Sequence, residues 1–181
     1  MKRKKSIFRE YLETVIIAVV LALFIRTFIV QSFKIPSDSM VPTLQSKPIN
    51  DRIMANKFIY KFHPPRRGDI VVFRSPAEPK KNFIKRVIAV GGEEVEIKNG
   101  DIYIDRLKLT EPEEIVNIYY YASGSSYGSG KIEVPLGHFY VLGDNSANSQ
   151  DSRYWGFVPG ENVVGKALFI FWPPYRIGKV R

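Results

Sequence analysis

A long apolar run near the start of the chain is the strongest pattern in the sequence. From Val15 to Ile25 no residue is polar, and Arg26 is the only charge between positions 14 and 33. A helix of about 20 residues crosses a bilayer, and an arginine near one end reaches the head groups on its long stem. The pattern therefore predicts a membrane-spanning anchor over residues 14–33.

Two other readings of this run were weighed. A cleaved signal peptide has the same basic-then-apolar order but ends in small residues, whereas Phe28, Ile29 and Val30 are bulky. A buried core helix leaves the basic tail unexplained. An uncleaved anchor is favoured, and the tail, residues 1–13, predicts a cytoplasmic N-terminus with the rest of the chain outside; its basic residues are Lys2, Arg3, Lys4, Lys5 and Arg9.

The remainder of the chain shows β patterns. Strands are predicted at 69–73, 82–92, 138–142 and 163–172, with a further candidate at 115–121 and a flexible Ser/Gly loop at 122–130. Alternating apolar residues around Asn99-Gly100 predict a hairpin with a type I′ turn. No internal repeat and no convincing second helix is found. Residues 34–181 are therefore predicted to form a mostly β domain.

Composition narrows the chemistry. The 181 residues carry a formal charge of +9, 45% are hydrophobic, cysteine is absent, and His63 and His138 are the two histidines. Disulfides and thiolate metal sites are excluded, zinc sites lack ligands, and no phosphate-binding glycine loop precedes a helix. We expect no metal and no cofactor. The charge suits lipid head groups or nucleic acid, but the apolar run directly behind the tail favours lipid, so no nucleic acid partner is expected.

A short segment after the anchor is a candidate site for a nucleophile. Pro36 and Pro42 make it stiff and extended, and it carries Ser37 and Ser39. An ordinary linker with turn residues explains the segment equally well.

Lys85 is the candidate base. A hydroxyl nucleophile can be activated by a neutral lysine, which requires burial to lower its pKa. Alternation along the strand places Lys85 on one face with Phe83 and Val87. An edge-strand lysine that discourages aggregation is the competing interpretation and is the stronger one on this residue alone.

A polar loop between apolar strands, residues 143–156, completes the candidate chemistry. Asp151 and Arg153 can pair and fix the loop, and Ser149 can hydrogen-bond a nearby amine. A solvated cluster of turns is the alternative.

These segments together resemble bacterial type I signal peptidases, which are membrane-bound Ser-Lys proteases. The resemblance covers nearly the whole chain and lies in the basic tail and single anchor, and in the segments Pro36-Ser37-Asp38-Ser39-Met40-Val41-Pro42-Thr43-Leu44, Phe83-Ile84-Lys85-Arg86-Val87, Gly143-Asp144-Asn145, Asn148-Ser149 and Asp151-Ser152-Arg153-Tyr154-Trp155-Gly156. These segments form three separated motifs, one around Ser39, one around Lys85 and one in the loop 143–156, and three motifs in the same order are a specific signal.

The resemblance implies a role for each matching residue. Ser39 matches the nucleophile and Lys85 the general base. The oxyanion is held by the Ser39 backbone N–H and, in some members, by a hydroxyl that corresponds to Ser37. Supporting positions are Ser149, which orients the lysine, the ion pair of Asp151 and Arg153, and Asp144. Pocket positions for small side chains are Phe33, Ile35, Pro36, Met40, Leu44, Phe83 and Ile84.

The resemblance also implies a function and a place. It implies an antiparallel catalytic sheet with a small β insertion near 103–135, a serine endopeptidase that removes signal peptides from exported preproteins after small residues, and a single-pass protein of the plasma membrane. The expected partners are signal peptides and the lipid bilayer, and the sequence carries no signal for an oligomeric state. One departure is Ser146-Ala147, where many members have Arg-Asp.

Two rival functions remain at this point. A non-catalytic membrane-anchored module that binds exported chains would keep the pockets and tolerate loss of Lys85. A self-cleaving Ser-Lys transcriptional regulator would need a helical DNA-binding domain, where this chain has an apolar anchor.

Overall fold

The computed structural model of the protein describes residues 7–123 and 125–180. Three α-helices are present in these ranges: α1, Ile7–Phe24, α2, Glu113–Val116, and α3, Ser152–Trp155. A π-helical segment, Ile25–Ile29, continues α1. The prediction of a mostly β fold preceded by one apolar helix is confirmed. The basic residues at positions 2–5 lie outside the described residues.

The N-terminal helix is long and apolar enough to cross a membrane. The apolar stretch runs over Phe8–Ile29, 22 residues, and none of it is buried against the rest of the protein. At 1.5 Å per residue it is about 33 Å long, close to the roughly 30 Å hydrocarbon core of a bilayer. Its bare apolar surface is what lipid tails would cover.

The end of this helix differs from the predicted anchor, residues 14–33. The helix begins earlier, at Ile7, and residues 30–33 belong to a strand, β1, Val30–Lys34. This strand pairs antiparallel with β2, Arg52–Asn56, from Val30 opposite Asn56 to Lys34 opposite Arg52. The backbone N–H and C=O groups of residues 30–34 are satisfied by pairing with β2. The apolar sequence by itself is equally compatible with a continued helix.

A large antiparallel sheet forms the body of the protein. Besides β1 and β2, its strands are β3, Ile70–Arg74, β4, Asn82–Val90, β9, His138–Leu142, β10, Val158–Pro159, β11, Val163–Trp172, and β12, Gly178–Lys179. The strands run in the order β1-β2-β11-β3-β4-β9-β10, and β12 pairs with β11.

A small second sheet has the strand order β7-β6-β5-β8. Its strands are β5, Glu94–Lys98, β6, Asp101–Ile104, β7, Leu107–Lys108, and β8, Lys131–Glu133. The predicted insertion, 103–135, therefore starts too late, because its first strand begins at Glu94. The hairpin at Asn99-Gly100 is confirmed, with φ of 54° and 87° at the two turn residues.

The predicted strand at 115–121 is wrong, as is the expectation of no second helix. Glu113–Val116 forms the single helical turn α2, which buries Ile115 completely, and the residues after it are not in a strand. A helical turn can bury the apolar side chain of Ile115, so the apolar residues of this segment do not require a strand.

Burial on both faces distinguishes β4 from the edge strands. Val87, Ile88 and Ala89 are successive residues, and all are fully buried. Val87 packs in one core cluster and Ile88 in a different one, so both faces of β4 are covered. The same strand buries Lys85 and Arg86, with exposed fractions of 4% and 1%.

Candidate active site

Ser39 lies in a tight helical turn, Asp38–Met40, that is held from several sides. Its carbonyl accepts a hydrogen bond from the backbone N–H of Asn145 at 3.1 Å, and Ser46 Oγ donates to Asp38 Oδ1 at 2.6 Å. Met40 is buried in the core directly beside it. The segment is therefore a fixed part of the domain, and the linker interpretation does not hold.

Lys85 donates a hydrogen bond from Nζ to Ser39 Oγ at 2.6 Å. Its Nζ lies 5.8 Å from the centre of the Phe83 ring and its side chain is 4% exposed, so Lys85 is not a solvent-facing lysine that discourages aggregation at a sheet edge. Burial lowers the pKa of Lys85 from 10.5 to about 8; Asp151 and Asp144 oppose this shift, while Arg153 adds to it. The neutral amine is therefore a minority form at pH 7, but a far more populated one than in an ordinary lysine.

Ser37 stands next to the pair. Its Oγ lies 3.3 Å from Ser39 Oγ, and its side chain faces the same cavity. The hydroxyl of Ser37 therefore lies directly beside the Ser39 oxygen that would attack a substrate.

Asp151 and Arg153 form a fully buried ion pair. Nε of Arg153 lies 2.8 Å from Oδ1 of Asp151, Nη2 lies 2.8 Å from Oδ2, and neither side chain is exposed. Asp151 also accepts the Gly143 N–H at 3.0 Å, and Arg153 donates to both the hydroxyl and the carbonyl of Ser146. The pair thus ties the whole loop from 143 to 153 together.

Ser149 reaches the site but does not make the predicted hydrogen bond to Lys85. Its Oγ is buried and has no hydrogen-bond partner among the described residues. It lies against Gly143, where a Cβ atom would overlap both Ser149 Oγ and the carbonyl oxygen of Ser39. Only glycine leaves room for this close approach.

Asp144 is bound by a residue that the sequence analysis assigned no role. Arg86 donates from Nε to Oδ1 at 2.8 Å and from Nη2 to Oδ2 at 2.7 Å, and Thr43 Oγ1 donates to Oδ2 at 2.5 Å. The sequence does indicate that Arg86 has a buried partner, because an arginine in a strand with apolar residues on both sides requires a buried counter-charge.

A cavity of about 540 Å³ opens beside Ser39 and Lys85. Six of the seven predicted pocket residues line it: Phe33, Ile35, Pro36, Met40, Phe83 and Ile84. Leu44 does not; it is fully buried in the core cluster with Ile35 and Met40. Further lining residues, which the sequence analysis missed, are Lys34, Lys81, Asn82, Asn148 and Gln150.

The two histidines lie outside this site. His63 and His138 make side-chain hydrogen bonds to the carbonyls of Pro64 and Leu136. Among residues 7–123 and 125–180 no three His, Cys, Asp or Glu side chains are grouped so as to hold a metal ion. The polar chemistry beside the cavity comes from hydroxyls, an amine and two ion pairs.

The fold and the site define a class: an antiparallel β protein, joined to an apolar helix, in which a serine hydroxyl meets a buried lysine amine beside an apolar cavity. A family model described as signal peptidase, peptidase S26, matches residues 8–172. The chain therefore belongs to the signal peptidase family, and it is a peptidase.

Two sequence relatives agree with this assignment. Signal peptidase I of Leptolyngbya laminosa is 44% identical over 179 residues, which cover 94% of this chain and 83% of that protein. Signal peptidase I of Aquifex aeolicus is 34% identical over 218 residues, covering 91% and 84%. A crystal structure of a signal peptidase I from Enterococcus faecalis is 34% identical, with a TM-score of 0.47, and covers 56% of this chain and 95% of the other.

Proposed function

We propose that the protein is a membrane-anchored serine endopeptidase that removes signal peptides from exported preproteins, with Ser39 as nucleophile and Lys85 as general base. The observation that carries the proposal is the 2.6 Å contact between Lys85 Nζ and Ser39 Oγ, made by a lysine whose side chain is almost fully buried.

The reaction follows from the protonation state of Lys85. Neutral Nζ takes the proton of Ser39 Oγ while Oγ forms a bond to the scissile carbonyl carbon. The C–N bond then breaks, and the ammonium returns its proton to the leaving amine. Water, deprotonated by the same amine, hydrolyses the acyl-enzyme and regenerates both side chains.

The oxyanion is assigned to two donors. They are the backbone N–H of Ser39 and the hydroxyl of Ser37, which lies 3.3 Å from Ser39 Oγ. Loss of one such donor typically lowers kcat about 100- to 1000-fold.

The cavity suits an extended peptide with small side chains. β1 is an edge strand of the sheet, and β9 pairs only with residues 86–90 of β4, so residues 82–85 have one edge without a strand partner among the described residues. Both edges line the cavity, and a peptide can add to them as a strand. Met40, Phe83 and Ile84 fill the walls, which favours small residues such as alanine before the cleaved bond.

The proposed location is the plasma membrane, with a single span, a cytoplasmic N-terminus and the β domain outside. Support comes from the 22-residue apolar stretch Phe8–Ile29 and the basic residues that precede it. The partners proposed are the lipid bilayer and the signal peptides of preproteins that emerge from it.

Cleavage of a preprotein by the full-length protein in detergent tests the proposal. We expect Ser39→Ala and Lys85→Ala each to abolish processing while the circular dichroism spectrum stays unchanged. Ser126→Ala and Lys98→Ala are matched controls, because both side chains are exposed and lie outside the cavity and outside both strand edges. Full activity in either site variant would end the assignment of the Ser-Lys pair and favour the non-catalytic module.

A further inference from the structure

A turn after β2, residues 57–62, lies beside the end of the apolar helix. Lys57 Nζ donates to the carbonyl of Thr27 at 3.0 Å, and the Lys57 N–H donates to the carbonyl of Ile29 at 2.8 Å. Carbonyls at a helix C-terminus lack intrahelical partners and attract positive charge. The turn is therefore attached to the point where the helix would leave a membrane.

Hydrogen bonds within this turn, which we call the aromatic turn, fix its shape. Asn56 Oδ1 accepts from the backbone N–H groups of Phe58 and Ile59 at 2.7 and 3.0 Å. Tyr60 Oη donates to Asp69 Oδ2 at 3.0 Å, so its ring ties the turn to the sheet. The side chains on either side of Tyr60 consequently have defined directions.

Two of those side chains are large, apolar and exposed. Phe58 is 39% exposed and Phe62 is 73% exposed, and their rings meet edge to face with centres 5.0 Å apart. Lys61 Nζ lies 5.3 Å from the centre of the Phe58 ring, in cation–π contact. The surface formed by Phe58, Phe62 and Lys61 is therefore apolar with one positive charge at its border.

The aromatic turn and the five residues after it carry only positive charge, and Asp69, to which Tyr60 donates, is paired with Lys166. Residues 57–67 contain Lys57, Lys61, Arg66 and Arg67 and no acidic residue. Arg67 is paired with Glu93, which leaves Lys61 and the exposed Arg66 facing outward. Phenylalanine side chains of interfacial segments insert at the boundary between head groups and acyl chains, and each basic residue near an anionic surface contributes about 1 kcal/mol of attraction.

We propose that Phe58 and Phe62 insert into the interfacial layer of the membrane and that Lys61 binds anionic phospholipid head groups there. The proposal rests on the membrane anchoring in the proposed function. The aromatic turn follows β2, whose partner β1 lines the cavity, so its seating fixes the height of the cavity above the lipid.

The absence of cysteine allows a direct test with the full chain, because one introduced cysteine carries one environment-sensitive fluorophore. The label is placed by F62C, by L107C as an exposed control on β7, the edge strand of the small sheet, and by V20C as a control for helix insertion. Each labelled protein is reconstituted into vesicles of phosphatidylcholine alone or mixed with phosphatidylglycerol, with a lipid-attached quencher.

We expect the F62C label to be blue-shifted and quenched in the mixed vesicles, more than in phosphatidylcholine, while the L107C label stays in water. Adding K61Q to F62C is expected to lower the ratio of shielded to exposed label about fivefold in mixed vesicles.

Several results would overturn the proposal. In one such result the V20C label is quenched while the F62C label is as exposed as the L107C label. The helix then spans the membrane, but the aromatic turn does not contact it. Equal shielding of F62C in both lipids refutes head-group binding by Lys61. Shielding that appears only when preprotein is added assigns the turn to polypeptide instead. An unquenched V20C label refutes the anchor itself, whereas the cleavage assay in detergent tests the chemistry separately.

Discussion

Arg86 and Asp144 form a bidentate ion pair from which water is almost fully excluded. The two contacts are 2.8 and 2.7 Å, and the side chains are 1% and 0% exposed. Arg86 follows Lys85 directly, and Asp144 precedes Asn145, whose N–H binds the carbonyl of Ser39. The pair thus joins the strand of the base to the loop that contacts the nucleophile.

Asp144→Asn tests how much stability depends on this pair. The change keeps the shape of the side chain but removes the negative charge from the buried pair. Breaking a buried pair in this way typically lowers the free energy of unfolding by about 3–5 kcal/mol. Denaturant unfolding in detergent, followed by the fluorescence of Trp155 and Trp172, measures it.

The control for this experiment is an exposed pair. Asp101 lies 2.7 Å from Lys108, with side chains 35% and 53% exposed, so Asp101→Asn is expected to cost below about 1 kcal/mol. If Asp144→Asn costs no more than Asp101→Asn, the buried pair has no structural role of the kind described.

The pH dependence of cleavage follows from the lowered pKa of Lys85, about 8. The neutral amine is the active form, so kcat/KM should rise about tenfold per pH unit below pH 8 and level off above it. Initial rates with a soluble preprotein in detergent, from pH 6 to 10, give the profile. His63→Ala and His138→Ala should leave it unchanged. A single inflection near pH 6.5, the ordinary value of histidine, would contradict the lysine mechanism.

The same shift predicts a pH-dependent cost of burial. Lys85 has a pKa of about 8 when folded and 10.5 ordinarily, so between these values the unfolded chain binds more protons and stability rises with pH. Below about pH 8 the cost is present in full, about 3 kcal/mol, and above 10.5 it is gone.

Lys85→Met isolates this cost, because methionine keeps most of the volume and has no charge. We expect the variant to be more stable than the parent at pH 7, with an advantage that shrinks by about 3 kcal/mol toward pH 10.5. Unfolding by urea at several pH values measures the difference, and an advantage that does not change with pH would refute a buried, titrating Lys85.

The walls of the cavity are expected to set substrate preference. Ile84 lines the cavity, and Ile84→Ala removes methyl groups from it. We expect preproteins with valine in place of alanine before the cleaved bond to gain about tenfold or more in relative kcat/KM. Leu44→Ala is the matched control, since Leu44 is in the core and does not line the cavity: it should lower stability by about 2–5 kcal/mol and leave the preference unchanged. An unchanged preference in Ile84→Ala would contradict the proposed wall.

Local patterns in the sequence predict much of the fold. The strands β9 and β11 have the predicted bounds, and the Asn99-Gly100 turn follows from residues that accept positive φ. The position of Lys85 between apolar neighbours was also readable, because strand alternation is a local property. These features depend on a few adjacent residues, which is why the sequence alone predicts them.

Features that depend on distant partners were not predictable in the same way. Residues 30–33 are apolar like the helix before them, and only pairing with β2 places them in a strand. Leu44 and Met40 are both buried apolar residues, and only the folded domain shows that Met40 faces the cavity and Leu44 does not. Likewise, the partner of Arg86 lies 58 positions away along the chain.

Gly143 gives the sharpest test of how closely the site is built. A Cβ atom at this position would overlap the carbonyl oxygen of Ser39 and the hydroxyl of Ser149, so Gly143→Ala must displace the nucleophile's backbone. A shift of about 1 Å in a reacting group can lower kcat about 100-fold. We therefore expect Gly143→Ala to lose about that factor in kcat, measured per folded molecule in the preprotein assay.

The control is Gly178→Ala, in the short strand β12. A Cβ atom there would approach only the carbonyl oxygen of Arg176, at 3.9 Å, an ordinary contact, so activity should be retained. If Gly143→Ala also keeps full kcat, the backbone at Ser39 can move without cost. The 2.6 Å contact between Lys85 Nζ and Ser39 Oγ would then not depend on the close approach of Gly143 to the Ser39 backbone.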